Sequence, residues 1–556
     1  MAQPAALPEG YYLQNFETVL RDVLARYGDL LRPEEEARIS GFLALPPPAR
    51  RLLVRMFTRQ GPWFRPDGFH YPEIEDIPGA LATLCAQGFC ATGAMAAPGD
   101  LVALLRKDEL GDRLRGFGIA FPRTLSRAGL AELLSSRADP EALKTALLQS
   151  LHPVAPLDQD WVRLAFFLFF GNGDQDLTDF VLADTGRVRY EAYPIDPRDR
   201  LFQARADVDF LITLREVQEA FAAAEATGDP AVMARITEAL LAREGHPGVR
   251  QSRRFHRVLN EVGRAWERRQ EPARALDCYA LSGRPPARER TARILAAQER
   301  WPEAARLAQA MAELPLDVAE EKFAGQWLRR LARRDPLAAA WVACHPPPEP
   351  LPELCLTVPR HPSGSVERAA LEAAAQAGWA GFFTENGLWQ GLFGLAFWDQ
   401  LFAPLPGAFQ HRFQAAPADI GGPDFHHRRR EAIERRLEQL AAPGALATAL
   451  LQVAECKRGI SNAFVNWRML TQDLLGTALE VLPAPVVLSV LSTMAPNPMA
   501  FRSGFPDLLL CRLDPPACML WEVKGPGDTL RPEQERWLRH FNREGVEARI
   551  AWIAYG

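Results

Sequence analysis

The sequence predicts a multidomain protein, mainly α-helical up to a proline-rich segment at residues 345–352 and α/β beyond it. Three observations predict this. The 556 residues suffice for about three or four domains at ~150 residues each. Apolar residues recur at every third or fourth position through most of the chain, the helical period. Near the far end, two short continuous apolar runs flank an Asp-Pro-Pro turn, the pattern of a hairpin buried on both faces.

The first part, 1–80, reads as helical. Tyr11-Tyr12-Leu13 opens a run of helical period reaching Leu31, and Pro46-Pro47-Pro48 breaks it. The helix that follows carries Arg51, Arg55 and Arg59 at i, i+4 and i+8, hence on one face. Like charges at that spacing repel, so a counter-charge is expected, either a phosphate backbone or acidic neighbours. Residues 81–160 read as short helices. Glu109 to Gly118 and Thr124 to Leu134 form a helix, a glycine-bearing loop and a Ser- or Thr-capped helix, which resembles the SAP module, a small binder of DNA backbones. Residues 205–345 are rich in Ala, Leu and Arg. Two segments, around Pro272 and Pro302, look alike at an offset of 30. Their small residues permit close antiparallel packing, as in tetratricopeptide-like (TPR-like) hairpins, although the offset is shorter than the usual ~34. This region is expected to hold its neighbours apart or to dock proteins. After the 345–352 linker, residues 365–556 are expected to form a separate α/β domain with helices to about 490, two strands, a helix and a last strand from Glu547 to Ala554.

Composition narrows the class. Lys plus Arg number 64 against 69 Asp plus Glu, a net charge of −5, which argues against a histone-like coating protein. The cation is almost all Arg, with Lys at 107, 144, 322, 457 and 524; guanidinium forks suit phosphate oxygens. No apolar run approaches the ~18–20 residues of a membrane helix, and the opening residues lack the pattern of a secretory signal. The cysteines have no zinc or disulfide spacing, so a reducing cytoplasm is the expected setting.

The chemistry concentrates between Phe505 and Gly525. A hairpin centred between Asp514 and Pro515 sets Asp507 opposite Glu522, and Glu522 and Lys524 project from one face. Charges in strands this apolar are costly unless paired or metal-bound. Two carboxylates brought together repel, and a hard divalent cation relieves them; the Val523 carbonyl can add a ligand. Lys524 can then orient or deprotonate a water and steady a pentacovalent phosphorus. Pro506-Asp507 followed by Glu522-x-Lys524 has the order of the PD-(D/E)xK nucleases.

With Trp521 to Asp528, Gln534 and Trp537, this stretch resembles the VRR-type nuclease domain. Gly378-Trp379, Thr384 to Gly387, Leu392 to Leu395, Trp398-Asp399 and, near the start, Tyr11-Tyr12-Leu13 and Gly61-Pro62-Trp63-Phe64-Arg65 extend the likeness. Together they resemble the Fanconi-associated nuclease family over nearly the whole chain. That resemblance implies N-terminal, SAP-like, helical-repeat and nuclease parts. It also implies a structure-selective DNA nuclease that cuts 5′ flaps and branched DNA, trims 5′ to 3′, requires Mg²⁺ or Mn²⁺ and acts in interstrand-crosslink repair. It places the family's helix carboxylate on Glu385, the catalytic core on Asp507, Glu522 and Lys524, metal ligation on Glu385, Asp507, Glu522 and Val523, and a supporting role on Gln534. Arg51, Arg55, Arg59, Arg65 and Arg502 are expected to contact DNA. The basic stretches at Lys457-Arg458 and His426 to Arg430 read more simply as a helix terminus and a solvated face. A monomer associated with the nucleoid, with repair-protein partners on the repeats, completes the expectation. A non-catalytic junction-binding adaptor and a restriction-type endonuclease are the alternatives.

Overall fold

Prolines start most helices of the first part, where a missing N–H costs nothing. The computed structural model describes residues 10–556 except 60, 123, 172–174, 176, 186, 197, 243–248, 360–363 and 423. The opening residues expected to lack a secretory signal therefore lie mostly outside the described residues. Two compact units emerge, Met1–Val188 with Pro197–Phe202, and Arg189–Asp196 with Gln203–Gly556.

In the first unit, helices Tyr11–Tyr27, Pro33–Ala44 and Pro47–Phe57 bury Phe16, Phe42, Leu52 and Leu53. This corrects two expectations. The first helix stops at Tyr27, and Pro33 starts a separate helix before the Pro46-Pro47-Pro48 run. The third helix ends at Phe57, so Arg59 lies beyond it and does not extend the face of Arg51 and Arg55. Further along, helices Lys107–Gly116 and Arg127–Arg137 pack through Leu110, Leu114, Leu130 and Leu134. The Ser126 hydroxyl caps the second of them, accepting from the Gly129 N–H at 3.1 Å. A short antiparallel ribbon joins β1 (Cys90–Thr92) to β2 (Val154–Pro156).

The second unit begins with helices from Arg205–Thr227 to Pro336–Cys344. The two similar segments are successive helix turns. Gln270 and Glu299 both adopt a left-handed backbone, φ 61° and 60°, and helices Pro272–Leu281 and Trp301–Glu313 follow. Ala275, Ala292, Ala304, Ala305 and Ala308 are fully buried between them, and those small side chains let the helices approach closely.

The sheet has the order β3-β7-β6-β5-β4, from β3 (Glu353–Val358), β4 (Ala380–Phe383), β5 (Leu508–Leu513), β6 (Pro516–Lys524) and β7 (Ala548–Tyr555). β7 lies parallel to both β3 and β6, whereas β5 runs antiparallel to its two neighbours, β4 and β6. Two strands, β3 and β4, escaped the sequence reading, and β3 begins ahead of the expected boundary at 365. Its burial alternates with exposure, so it lacks the continuous apolar run that marked the hairpin. Nor do the repeats stand apart from the sheet: Lys322 of the repeats pairs with Glu535 of the Pro532–Arg543 helix at 2.5 Å.

Between β4 and β5 the chain leaves the sheet for a helical insertion from Gly387–Ala396 to Pro498–Phe501. Its apolar residues share one core with one face of the sheet, including Leu392, Phe393, Leu491, Leu509 and Trp537. The opposite face packs on the helix Val366–Gln376 through Ala370, Leu508, Val523 and Ala551. Among the described residues no single helix is long and apolar enough to cross a membrane; the bent pair Gln472–Val481 and Ala484–Met494 reaches that composition only jointly and is packed into this core.

Candidate active site

Strand register builds the site. Leu508 pairs with Trp521 and Leu513 with Pro516, so Asp507, one residue before β5, stands level with Glu522. An aromatic stack holds the segment leading to Asp507: Phe505 lies 4.2 Å from the Trp537 ring and 5.7 Å from Trp389, and the Trp537 indole N–H donates to the Ser503 carbonyl at 3.2 Å. Gly504 makes this approach possible. Its φ is +88°, and a β-carbon there would stand 2.5 Å from Glu533 Cβ and 2.8 Å from the Gln534 nitrogen.

Asp507 Oδ2 accepts the Val523 N–H at 2.9 Å. Glu522 is 1 % exposed, and its Oε1 accepts from Lys524 Nζ at 2.8 Å and from Gln534 Nε2 at 2.6 Å. Lys524 Nζ also donates to Gln534 Oε1 at 3.0 Å. Gln534 therefore bridges the acid and the ammonium. Burial dominates the electrostatics: it pushes Glu522 up to about 8, with Asp507 repelling it further and Lys524 only partly offsetting this. Burial likewise pushes Asp507 up to about 6 despite the Val523 N–H and Lys524, while Glu367 and Glu385 add to the rise.

Glu385 is close to this cluster, but the expectation of a helix carboxylate needs correction. It lies on the turn between β4 and the Gly387–Ala396 helix, with φ +37°. Its N–H and that of Thr384 both donate to the Asp507 carbonyl, at 3.0 and 2.8 Å. The strained backbone thus keeps two acids together through the main chain. The carboxylate on a helix is Glu367, in the first turn of Val366–Gln376, which the sequence reading missed. Its visible signal is Ser365, whose hydroxyl caps that helix at Arg368 N–H, 3.2 Å, and donates to Glu367 Oε2 at 2.7 Å.

These donors fit a hard divalent cation. Glu522 Oε2 is buried without a hydrogen-bond partner, a costly state for an acceptor, and two neighbouring carboxyls are driven toward their neutral forms. Among the described residues no three acidic, His or Cys side chains already converge as a cage: Glu522 is buried, Asp507 half-buried, and Glu385 exposed at their edge.

The expected DNA-contacting arginines divide. Arg55 pairs with Glu73 at 2.6 Å, so an acidic neighbour supplies its counter-charge, while Arg51 donates to the main-chain carbonyl of Glu73. Arg65 pairs with Asp67 and Glu109. Arg59 is exposed, 3.2 Å from the Tyr71 hydroxyl. Arg502 is half-buried just before the active-site segment, its carbonyl accepting from Gln390 at 2.6 Å. Lys457 pairs with Glu191, and Arg428 and Arg429 with Asp419. Sequence reasoning passed over a cavity of about 520 Å³ in the repeats, lined by Arg253, Arg254, Arg257, Arg264 and Arg284. At its border Gly421 is squeezed: a β-carbon there would stand 3.0 Å from Arg253 Nη1 and 3.7 Å from Met499 Cγ. Met499 in turn touches Arg502, Nη1 to sulfur 3.8 Å.

Residues 10–91 match the family described as FAN1, HTH domain, and residues 441–552 match the VRR-NUC domain. A Fanconi-associated nuclease 1 homolog of Pseudomonas aeruginosa is 34 % identical over 564 residues, covering 99 % of this chain and 97 % of the relative. Its Arabidopsis thaliana counterpart is 27 % identical, over 98 % of this chain and 67 % of the relative. The crystal structure of paFAN1 bound to 5′-flap DNA with a 2-nucleotide flap and a gap superposes with a TM-score of 0.87 at 32 % identity, covering 99 % of this chain and all of that one. Such kinship carries nuclease activity and divalent-metal dependence with it. With this identity sustained from end to end, over a fold that seats Asp507, Glu522 and Lys524 together, the chain belongs to the Fanconi-associated nuclease family.

Proposed function

We propose that the protein is a structure-selective DNA nuclease that cleaves 5′ flaps and related branched DNA, with 5′-to-3′ trimming, in interstrand-crosslink repair. The observation that carries this reading is the buried Glu522–Lys524 pair beside half-buried Asp507, with its orphaned Glu522 oxygen, on a fold shared with a relative that binds 5′-flap DNA. Asp507, Glu522, the Val523 carbonyl and Glu385 would hold Mg²⁺ or Mn²⁺, which supplies Lewis-acid polarisation of the scissile phosphate. Lys524, fixed between Glu522 and Gln534, positions the attacking water and offsets the charge growing on phosphorus. Gln534 keeps the ammonium aimed. A monomer bound at the nucleoid, with repair proteins docking on the repeats, accords with this role.

The test is direct. Purified protein incubated with end-labelled 5′-flap DNA is expected to give products in Mn²⁺ or Mg²⁺ and none in EDTA. Binding without products would favour a junction adaptor, and equal cutting of intact duplex a restriction-type enzyme.

For DNA contact we propose Arg502, Arg59 and the arginine cavity, with Arg55 and Arg65 reaching phosphate from positions already anchored to acids and Arg51 from one bonded to the Glu73 carbonyl. Each phosphate contact steepens the log–log salt dependence of binding by about 0.9. Replacing Arg253, Arg257 and Arg284 by Ala is expected to flatten that slope by about two to three units, and replacing Arg51 and Arg55 by clearly less. An unchanged slope would return the cavity to a structural role.

A further inference from the structure

Asn386 stands where the helix Gly387–Ala396 begins, and Asn is among the residues that best cap such a start. Its side chain caps nothing there, since the backbone is already helical at φ −81° and ψ −18°. The amide reaches across to the segment that leads into β5 instead. Oδ1 accepts the Phe505 N–H at 3.2 Å, and Nδ2 donates to Glu385 Oε1 at 3.4 Å. A main-chain N–H can only donate, so the amide oxygen must face Phe505, and this turns the amide N–H₂ toward the carboxylate.

The same turn is joined to the same segment at further points. The N–H groups of Thr384 and Glu385 donate to the Asp507 carbonyl, and the Thr384 hydroxyl donates to it as well, at 3.3 Å. Residues 384–386 thus close like a zip on residues 505–507, and within it the Asn386 side chain bonds both to that segment and to the Glu385 carboxylate. Glu385 pays for its place with a left-handed backbone, φ +37°, a strain that persists only where the surroundings over-determine it. Gln390, one turn on and on the same helical face, grips the segment at the Arg502 carbonyl, 2.6 Å, away from the carboxylate.

We propose that Asn386 is a positioning residue for the metal site: it holds the exposed Glu385 carboxylate beside Asp507, so that the two can share one divalent cation. This rests on the reading of Glu385 as a metal ligand given above. The amide engages Oε1 and leaves Oε2 for the cation. A carboxylate fixed in advance gives up less freedom on binding, and hydrogen bonds to ligating carboxylates raise metal affinity in this way.

The test titrates the full-length protein with Mn²⁺, reading the free ion by electron paramagnetic resonance, alongside 5′-flap cleavage at each Mn²⁺ concentration. Asn386→Ala is expected to raise both the Kd for Mn²⁺ and the half-saturating concentration about tenfold. Cleavage at saturating Mn²⁺ is expected to return to within about threefold of the unaltered protein's. Asn386→Ser, polar but too short to reach Glu385, guards against misfolding of the Ala variant and is expected to show the same loss. Gln390→Ala is expected to change the Kd by less than about twofold. In a Glu385→Gln background, Asn386→Ala is expected to cost nothing further, because the carboxylate it serves is gone. An undiminished loss in that background, an equal loss in Gln390→Ala, or an unchanged Kd in Asn386→Ala and Asn386→Ser would each overturn the proposal. If the unaltered protein binds no Mn²⁺, or cuts flaps equally well in EDTA, the metal-nuclease reading fails instead.

Discussion

Lys524→Ala and Asp507→Asn are expected to reduce single-turnover cleavage of 5′-flap DNA by roughly 10³-fold, with flap affinity changing less than about threefold. Lys524 is the one cation bonded to both Glu522 and Gln534 in the described structure. Removing it leaves the buried Glu522 carboxyl without its charge partner and the developing phosphorane without its counter-charge. Arg at 524 is not expected to rescue activity, because a planar guanidinium cannot occupy the point-charge position between those two groups. In Asp507→Asn the side-chain oxygen can still accept the Val523 N–H, so the hairpin register survives while the anionic donor is lost. Cleavage under enzyme excess, alongside anisotropy of labelled flap DNA, separates chemistry from binding. Near-normal turnover by either variant would remove that residue from the reaction.

The second large effect is expected from Gly504→Ala. The added methyl would meet main-chain atoms of Glu533 and Gln534 at 2.6 and 2.8 Å, and neither can swing aside as a side-chain tip would. A left-handed φ adds its own strain of about 1–2 kcal/mol. Together these are expected to cost roughly 3 kcal/mol and to pry the Asp507 segment from the helix that carries Gln534, cutting cleavage by more than about tenfold. Gly527→Ala is the control: its φ is also +88°, but nothing lies within 4 Å of its added carbon. It should lose only the conformational part, about 1 kcal/mol. Thermal unfolding followed by near-ultraviolet circular dichroism, with flap cleavage, would distinguish them; equal losses in the two variants would mean that close packing at Gly504 is unimportant.

The hairpin was legible in the sequence because its two runs are apolar on both faces and a tight Asp-Pro turn leaves one symmetric pairing; Asp507 and Glu522 follow from that alone. Gln534 was legible only through the resemblance to the VRR-type nuclease domain. Glu367 was not, since one glutamate in the first turn of an alanine-rich helix looks like any dipole-compensating acid. β4 is four residues long, too short to show alternation. The partner of Arg55 lies at Glu73, beyond a turn and a short 3-10 segment, a tertiary pairing that periodicity on one helix does not encode. The arginine cavity joins one helix, Val249–Arg268, to Arg284 in a loop further along, and only the folded chain brings the two together.

β7 lies in the interior of the sheet, flanked by β3 on one side and β6 on the other. A polypeptide interrupted before residue 548 would leave both neighbours with open edges and the strand bearing Glu522 and Lys524 unsupported. Incomplete translation products and fragments clipped near that end are therefore expected not to cleave DNA: the cutting edge forms only once its keystone has been laid.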